Sequence, residues 1–297
     1  MSALSSPDSV PVRDAATVML VRDGDDGLEV FMLRRSLDSV FVGGAYVFPG
    51  GGVDDHDRHD DLDPVCAGRS DPDASALLGV DTGGLAYWVA AIRESFEEAG
   101  VLLAYDRSGA LIRFDDPDLD ERFRHHRRRV DRSEVRLVDV CAAEGLTLAC
   151  DVMHYFSHWI TPVGPPRRYD TRFFVARAPD AQVPLHDDRE TIAHLWVRPA
   201  DALARHRAGE LDMILPTIRN LEAIARFERA DDLLEAARAT TSVPAMLPRI
   251  VAEDGGVRIL LPGDPGYDDP APHQPLPADA PLPGRPGGPP LPDGGSP

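Results

Sequence analysis

The chain contains no lysine. All 31 of its fixed side-chain cations are arginines, set against 50 aspartates and glutamates. The formal net charge of −19 argues against a nucleic-acid or anionic-membrane partner, because phosphate backbones would be repelled. It also means that any phosphate on a ligand must be met by guanidinium, metal or backbone N–H groups. Cysteine is scarce. Cys66, Cys141 and Cys150 show neither CxxC spacing nor the even count of a disulfide framework, so reduced, non-liganding thiols are expected. Long apolar runs are missing as well: no stretch approaches the roughly 20 residues of a membrane span, and none follows a basic N-terminal start. A cytoplasmic protein is expected. The hydrophobic fraction of 43% over 297 residues is enough for a sizeable core, in one large domain or one domain with appendages.

Residues 1–13 are polar and aperiodic, which predicts a flexible terminus. Residues 15–22 and 28–35, rich in Val, Leu, Met and Phe, read as strands joined by the hairpin signal Asp23-Gly24-Asp25-Asp26-Gly27. A short strand then enters a turn in which Gly50, Gly51 and Gly52 follow Pro49, allowing tight turns and close approach of backbone to a ligand. Between 54 and 84 the composition shifts to Asp, Gly, Ser and Pro. The acidic run from Asp54 to Asp61 lacks the alternation and terminal glutamate of an EF-hand and the Cys/His spacing of a zinc site, so a solvated, mobile loop is expected. Helices are predicted over about 85–99, 119–130, 133–144, 199–206 and 215–239, and strands over 152–161, 169–178, 193–197 and 257–261. The basic run from Arg122 to Arg129 lies beside Asp118, Asp120 and Glu121. It reads as an exposed face with intrahelical ion pairs, contact with a substrate phosphate being the alternative. From Pro262 to the end, Pro and Gly dominate without a collagen period, which predicts a disordered tail over 262–297.

The stretch Arg93-Glu94-Ser95-Phe96-Glu97-Glu98-Ala99-Gly100-Val101 carries the chemistry. At 3.6 residues per turn, Glu94, Glu97 and Glu98 share an arc of about 100° on one helix face. Leu85, Val89, Ile92, Phe96 and Ala99 gather on the other side and can be buried. Like charges so close repel unless a cation sits among them. Three carboxylates suit a hard divalent ion. On spacing alone, a solvated acidic face remains the alternative.

Together the helix and the glycine turn resemble the Nudix family of diphosphate hydrolases. The family signature is Gly, five residues, Glu, seven residues, then Arg-Glu, an aliphatic and any residue, Glu-Glu, any residue, Gly and an aliphatic. Arg93-Glu94, Glu97-Glu98, Gly100 and Val101 meet its second half, with Ser95 where an aliphatic is usual; a small residue there is expected to be tolerated at the helix flank. Gly51 opens the first half, which then lands on Asp57 instead of Glu. Thirty-six positions separate Asp57 from Arg93, 28 more than the family spacing of eight, so the box is split by an insertion over 57–84. Such a loop adds only slowly to closure entropy. One subgroup, which includes peroxisomal coenzyme A diphosphatases, is similar in carrying an insertion there. The similarity extends to Leu33-Arg34-Arg35-Ser36, to 41–51, to Trp159-Ile160-Thr161-Pro162 and to 168–174. The chain ends Gly-Gly-Ser-Pro, which is not a Ser-Lys-Leu peroxisomal address.

The resemblance implies an α/β (α+β) fold, a mixed β-sheet sandwiched between helices, over 14–261. It implies that Glu94, Glu97 and Glu98 hold Mg2+ or Mn2+, that Glu97 and Glu98 are catalytic, and that Arg93 holds a box glutamate in place. Gly50, Gly51 and Gly52 would lie beside the diphosphate, and a further carboxylate outside the box is assigned to Glu190. Arg34, Arg35, Arg167, Arg168 and Arg172 sit at strand ends or beside loops, where they can meet substrate phosphates. Trp159, Tyr169, Phe173 and Phe174 are read as core, and His154 and His158 have no ligand spacing. The expected activity is hydrolysis of a small-molecule nucleoside diphosphate derivative, coenzyme A or an acyl-coenzyme A leading, by a monomer or homodimer. ADP-ribose, NADH or a dinucleoside polyphosphate is the alternative substrate, and a catalytically idle binding module is the rival of another class.

Overall fold

A computed structural model describes residues 10–37, 43–58, 62–184, 191–253 and 256–269. Either side of Asp25-Asp26, two aliphatic runs pair as an antiparallel hairpin, β1 (Val12–Gly24) and β2 (Gly27–Arg35), with Val21 opposite Val30. Two short strands follow, β3 (Tyr46–Val47) and β4 (Gly50–Gly52), and then helices α1 (Asp71–Leu78) and α2 (Leu85–Glu94). The middle of the chain forms β5 (Ala104–Tyr105), α3 (Pro117–Asp131), α4 (Leu137–Glu144), β6 (Thr147–Leu148), β7 (His154–Ile160), β8 (Arg168–Arg177) and β9 (Thr191–Val197). Three helices, α5 (Pro199–Arg207), α6 (Leu215–Ile224) and α7 (Ala230–Ala239), precede β10 (Ala245–Met246) and a last hairpin, β11 (Arg249–Glu253) with β12 (Gly256–Leu260).

The main sheet runs β10-β7-β8-β1-β2-β3, with β4 added to β1 and β9 to β2. β1 is parallel to β8 and β10 to β7, the other pairs being antiparallel, so the sheet is mixed. Helices cover both faces, which is why β1 is buried without interruption from Ala15 to Val21 and is apolar there except at Thr17. Val18, Leu20, Phe31 and Leu33 pack with Trp88, Ile92 and Phe96 on the α2 side. Met19, Val21, Val30 and Met32 pack with Leu203, Ile218, Leu221 and Leu233 on the other. Among the described residues no helix is long and apolar enough to cross a membrane.

Three expectations are corrected. The first strand starts at Val12, within the segment expected to be a loose terminus, because Val12 to Val21 pair in parallel with Arg168 to Arg177. The predicted helix over 215–239 is two helices. Its break receives the tip of the first hairpin: Leu28 N–H donates to Glu228 O (2.8 Å), and Ala230 N–H at the start of α7 donates to Asp23 Oδ1 (2.8 Å). Residues 262–269 are ordered against the last hairpin, Tyr267 Oη donating to Leu247 O (2.8 Å) and Leu261 N–H to Asp264 Oδ2 (2.7 Å). The rest of the predicted tail lies outside the described residues.

The insertion is also not a mobile loop over its described part. Leu62, Cys66, Ala74 and Leu78 enter the core, and α1 opens on Ser70, whose Oγ accepts from Asp73 N–H (3.3 Å). Asp71 then accepts from Leu85 N–H (2.9 Å) and Gly83 N–H (3.0 Å), while Ser75 Oγ accepts from Gly84 N–H (2.9 Å). α2 has no side-chain cap of its own, so the insertion supplies one from a distance. A Cβ on Gly84 would sit 2.3 Å from Ser75 N, so the junction needs glycine. Asp71→Ala is expected to cost about 1–2 kcal/mol, the upper range for a lost helix cap. A shift of the urea midpoint at constant slope checks this; an unchanged midpoint would remove the capping role.

Candidate active site

α2 does not continue as an α-helix through its acidic end. Residues Ser95–Ala99 form one π-helical turn, closed by Gly100 N–H donating to Phe96 O (3.1 Å) and Val101 N–H to Ser95 O (3.2 Å). Such turns re-aim side chains relative to a regular helix. Glu94 and Glu97 both turn to Arg93, whereas Glu98 accepts from Gly50 N–H through Oε2 (2.9 Å). Arg127 of α3 donates to the carbonyls of Glu97 (2.8 Å) and Glu98 (2.9 Å), placing a cation at the helix end where the dipole favours one.

Arg93 is 6% exposed and uses all five of its N–H donors. Nε and Nη2 grip both oxygens of Asp57 (2.9 Å each), Nη2 also donates to Gly52 O (2.8 Å), and Nη1 reaches Glu94 (2.8 Å) and Glu97 (3.0 Å). One side chain thus ties the glycine turn, the start of the insertion and two box glutamates together. Asp57, 1% exposed, is the other half of this clamp. Its Oδ2 also accepts from Asp54 N–H (2.9 Å). Burial works against the Arg93 cation, but Glu94, Asp57 and Glu97 outweigh it and raise its pKa. Burial pushes the Glu97 carboxyl up to about 8, since one guanidinium shared among three carboxylates cannot offset its desolvation.

A cavity of about 520 Å3 opens over these groups, lined by Gly50, Gly51, Gly52, Asp57, Arg93, Glu94, Glu97 and Glu98, with Arg35, Arg136 and Arg167 also on its wall. A Cβ on Gly51 would lie 2.4 Å from Glu94 Oε1, so glycine is needed for the turn to approach the carboxylates. Among the described residues no three carboxylate, thiolate or imidazole groups converge in ligating geometry. The donor set nevertheless fits a hard divalent ion: oxygen donors only, mostly buried, with Asp57, Glu94 and Glu97 sharing one guanidinium and Glu98 held at Gly50 N–H.

Not every residue proposed from the sequence is brought here. Arg34 donates to Gly44 O (3.3 Å), and Arg168 to the carbonyls of Thr161 and Pro162 (3.1 Å each). Arg172 is 4% exposed and ion-paired with Asp170, its guanidinium over the Tyr87 ring at 5.3 Å. None of the three lines the cavity. For Arg172 the reason is strand alternation: Tyr169, Thr171 and Phe173 face the cavity, and Arg172 faces α2. Glu190 lies outside the described residues. Trp159 and Phe173, read as core, do line the cavity, while Phe174 packs on Trp88 (4.6 Å). Ser95 is fully buried rather than on the helix flank, and its Oγ has no partner among the described residues. No local signal marks the clamp between Arg93 and Asp57, although Asp57 stands five residues past Gly51, where the family signature has its first acid.

A glycine turn clamped to an acidic helix end, on a mixed sheet between helices, defines a Nudix-type hydrolase. Residues 73–224 match the family model described as the NUDT19 Nudix domain, and the chain belongs to that family. It is 31% identical over 276 residues to the human (Homo sapiens) acyl-coenzyme A diphosphatase NUDT19, covering 82% of this chain and 73% of that protein. With the chicken (Gallus gallus) protein of the same name it shares 30% identity over 306 residues, 86% of this chain and 80% of the relative. The crystal structure of a NUDIX hydrolase from Alicyclobacillus acidocaldarius superposes with a TM-score of 0.64 at 27% identity, covering 80% of this chain and 99% of that one.

Proposed function

We propose that this protein hydrolyses the diphosphate of coenzyme A or an acyl-coenzyme A, using Mg2+ or Mn2+. The observation that carries the reading is the convergence of Glu94, Glu97 and Glu98 with Gly50–Gly52 on one cavity, held by Arg93. The names of the NUDT19 relatives supply the substrate class. Glu94, Glu97 and Glu98 would hold the ion, which when bound neutralises phosphoryl charge and acidifies a water. Arg93 keeps Glu94 and Glu97 oriented and locks Gly52, so that the turn and the carboxylates stay in register. Glu97 and Glu98 are assigned to orient the attacking water and take up its proton. Arg35 and Arg167 on the cavity wall offer guanidinium forks to the remaining phosphate oxygens. A cytoplasmic location belongs to the same reading, which the buried thiols Cys66, Cys141 and Cys150 support.

Incubation with either metal and a panel of coenzyme A, acyl-coenzyme A, ADP-ribose, NADH and diadenosine polyphosphates tests it. Phosphorus NMR should show cleavage within the diphosphate of the coenzyme A compounds, abolished by EDTA and restored by metal. Folded protein that cleaves only ADP-ribose or NADH would overturn the substrate, and cleavage of none would overturn the reaction.

A further inference from the structure

A second cavity, of about 650 Å3, shares no lining residue with the one over the carboxylates. Three parts of the chain meet around it: the insertion through Arg69 and Leu77, the start of β7 through His154, and α7 through Leu234 and Arg238. Its two outermost cations in sequence, Arg69 and Arg238, fall on either side of the 73–224 family match.

Arg69 has an unmet bond. Its guanidinium lies over the Trp88 ring of α2, 4.4 Å from the centroid, and its Nε is buried with no hydrogen-bond partner among the described residues. A buried guanidinium N–H without an acceptor is costly. Burial lowers the Arg69 pKa, and Asp73 and Asp151 do not offset it. Arg238 is exposed and has no ion pair among the described residues. Burial and the charges of Arg238 and Arg69 together hold His154 below its ordinary pKa, so both cations act on one imidazole. The remaining charged groups of the wall are placed differently. Arg177 pairs with Asp23 and Asp231, Asp151 accepts from Tyr105 Oη (3.1 Å), and Asp180 is exposed.

We propose that this cavity binds a small phosphate monoester, held by Arg69 and Arg238, with its organic body against Leu77, Leu111, Val152 and Leu234. A phosphate monoester carries nearly two negative charges at neutral pH and presents three terminal oxygens, enough for two guanidinium forks and the His154 ring. A carboxylate brings one charge and two oxygens. The apolar walls and the volume suit a small molecule. In a chain of net charge −19, an anion is retained only where cations gather locally. The site is additional to the catalytic cavity and does not depend on the diphosphatase reading.

The test titrates the full chain by calorimetry with phenyl phosphate, inorganic phosphate and benzoate. Low ionic strength keeps the charges unscreened, and EDTA keeps the carboxylate cluster free of metal, so that it repels the probes. Phenyl phosphate should bind most tightly, inorganic phosphate less so, and benzoate at least tenfold more weakly than phenyl phosphate. Arg69→Gln and Arg238→Gln should each weaken phenyl phosphate by roughly 10–100-fold, the range for a lost charge-assisted hydrogen bond. Arg238 is on the surface, so a wild-type urea midpoint for Arg238→Gln certifies that its loss of binding is local. Arg35→Gln and Arg167→Gln, on the wall of the other cavity, should leave the affinity within about twofold. Absence of binding by wild type would overturn the site. So would unchanged affinity in both Arg69→Gln and Arg238→Gln, or loss of binding in Arg35→Gln or Arg167→Gln instead. Benzoate binding as tightly as phenyl phosphate would overturn the phosphate assignment.

Discussion

Arg93→Ala is expected to lose about 3–5 kcal/mol of folding stability, the range for breaking a buried, hydrogen-bonded ion pair by removing one partner. The reason is the number of groups left behind. Asp57 loses both of its guanidinium contacts, Glu94 and Glu97 lose their shared cation, and Gly52 O loses its donor. Arg93→Lys separates charge from geometry. Lysine keeps the positive charge but has three donors on one atom and no planar fork, so it cannot bridge Asp57, Gly52 and the glutamates at once. Arg93→Lys should recover part of the stability and little of the activity. Guanidinium denaturation and diphosphatase assays on both variants check this. A lysine variant with wild-type midpoint and turnover would mean that charge alone matters there.

Glu98→Gln is expected to reduce turnover by roughly 10²–10⁴-fold, the range for removing a positioned acid–base group, with the fold retained. The amide is isosteric, and its oxygen can still accept from Gly50 N–H as Glu98 Oε2 does at 2.9 Å. What is lost is the negative charge that would hold a divalent ion and accept a proton. Calorimetric titration of substrate should still show binding, and the denaturation midpoint should lie within about 1 kcal/mol of wild type, as expected when a hydrogen bond is preserved. Turnover within a few-fold of wild type would remove Glu98 from the chemistry. This variant also separates an enzyme from an idle binding module, since only an enzyme has turnover to lose.

Much of this was legible in the chain. The hairpin at Asp23–Gly27, the central strands and the acidic helix were readable because each carries a local signal: turn residues between aliphatic runs, or apolar positions at helical spacing. The insertion was misread for the opposite reason. Its composition is polar, and the burial of Leu62, Cys66, Ala74 and Leu78 comes from docking against distant elements. Asp71 is likewise one aspartate among many in the insertion until its carboxylate is seen on the N–H of Leu85.

The site shows the same division. The order Arg93-Glu94, Glu97-Glu98, Gly100 and the glycines at 50–52 carried the resemblance to the Nudix family, and it was that resemblance that implied the class of reaction. The acidic face was drawn on an ideal helix, whereas the chain makes a π turn there, sending Glu98 to Gly50 and its neighbours to Arg93. Which arginines reach the cavity was also outside local reach. Arg35 and Arg167 line it, while Arg172 lies on the other face of β8, against Tyr87 of α2 and ion-paired with Asp170. Tertiary structure alone decided these, because a side chain's partner depends on which distant strand or helix lies opposite it, and local propensity carries no record of that.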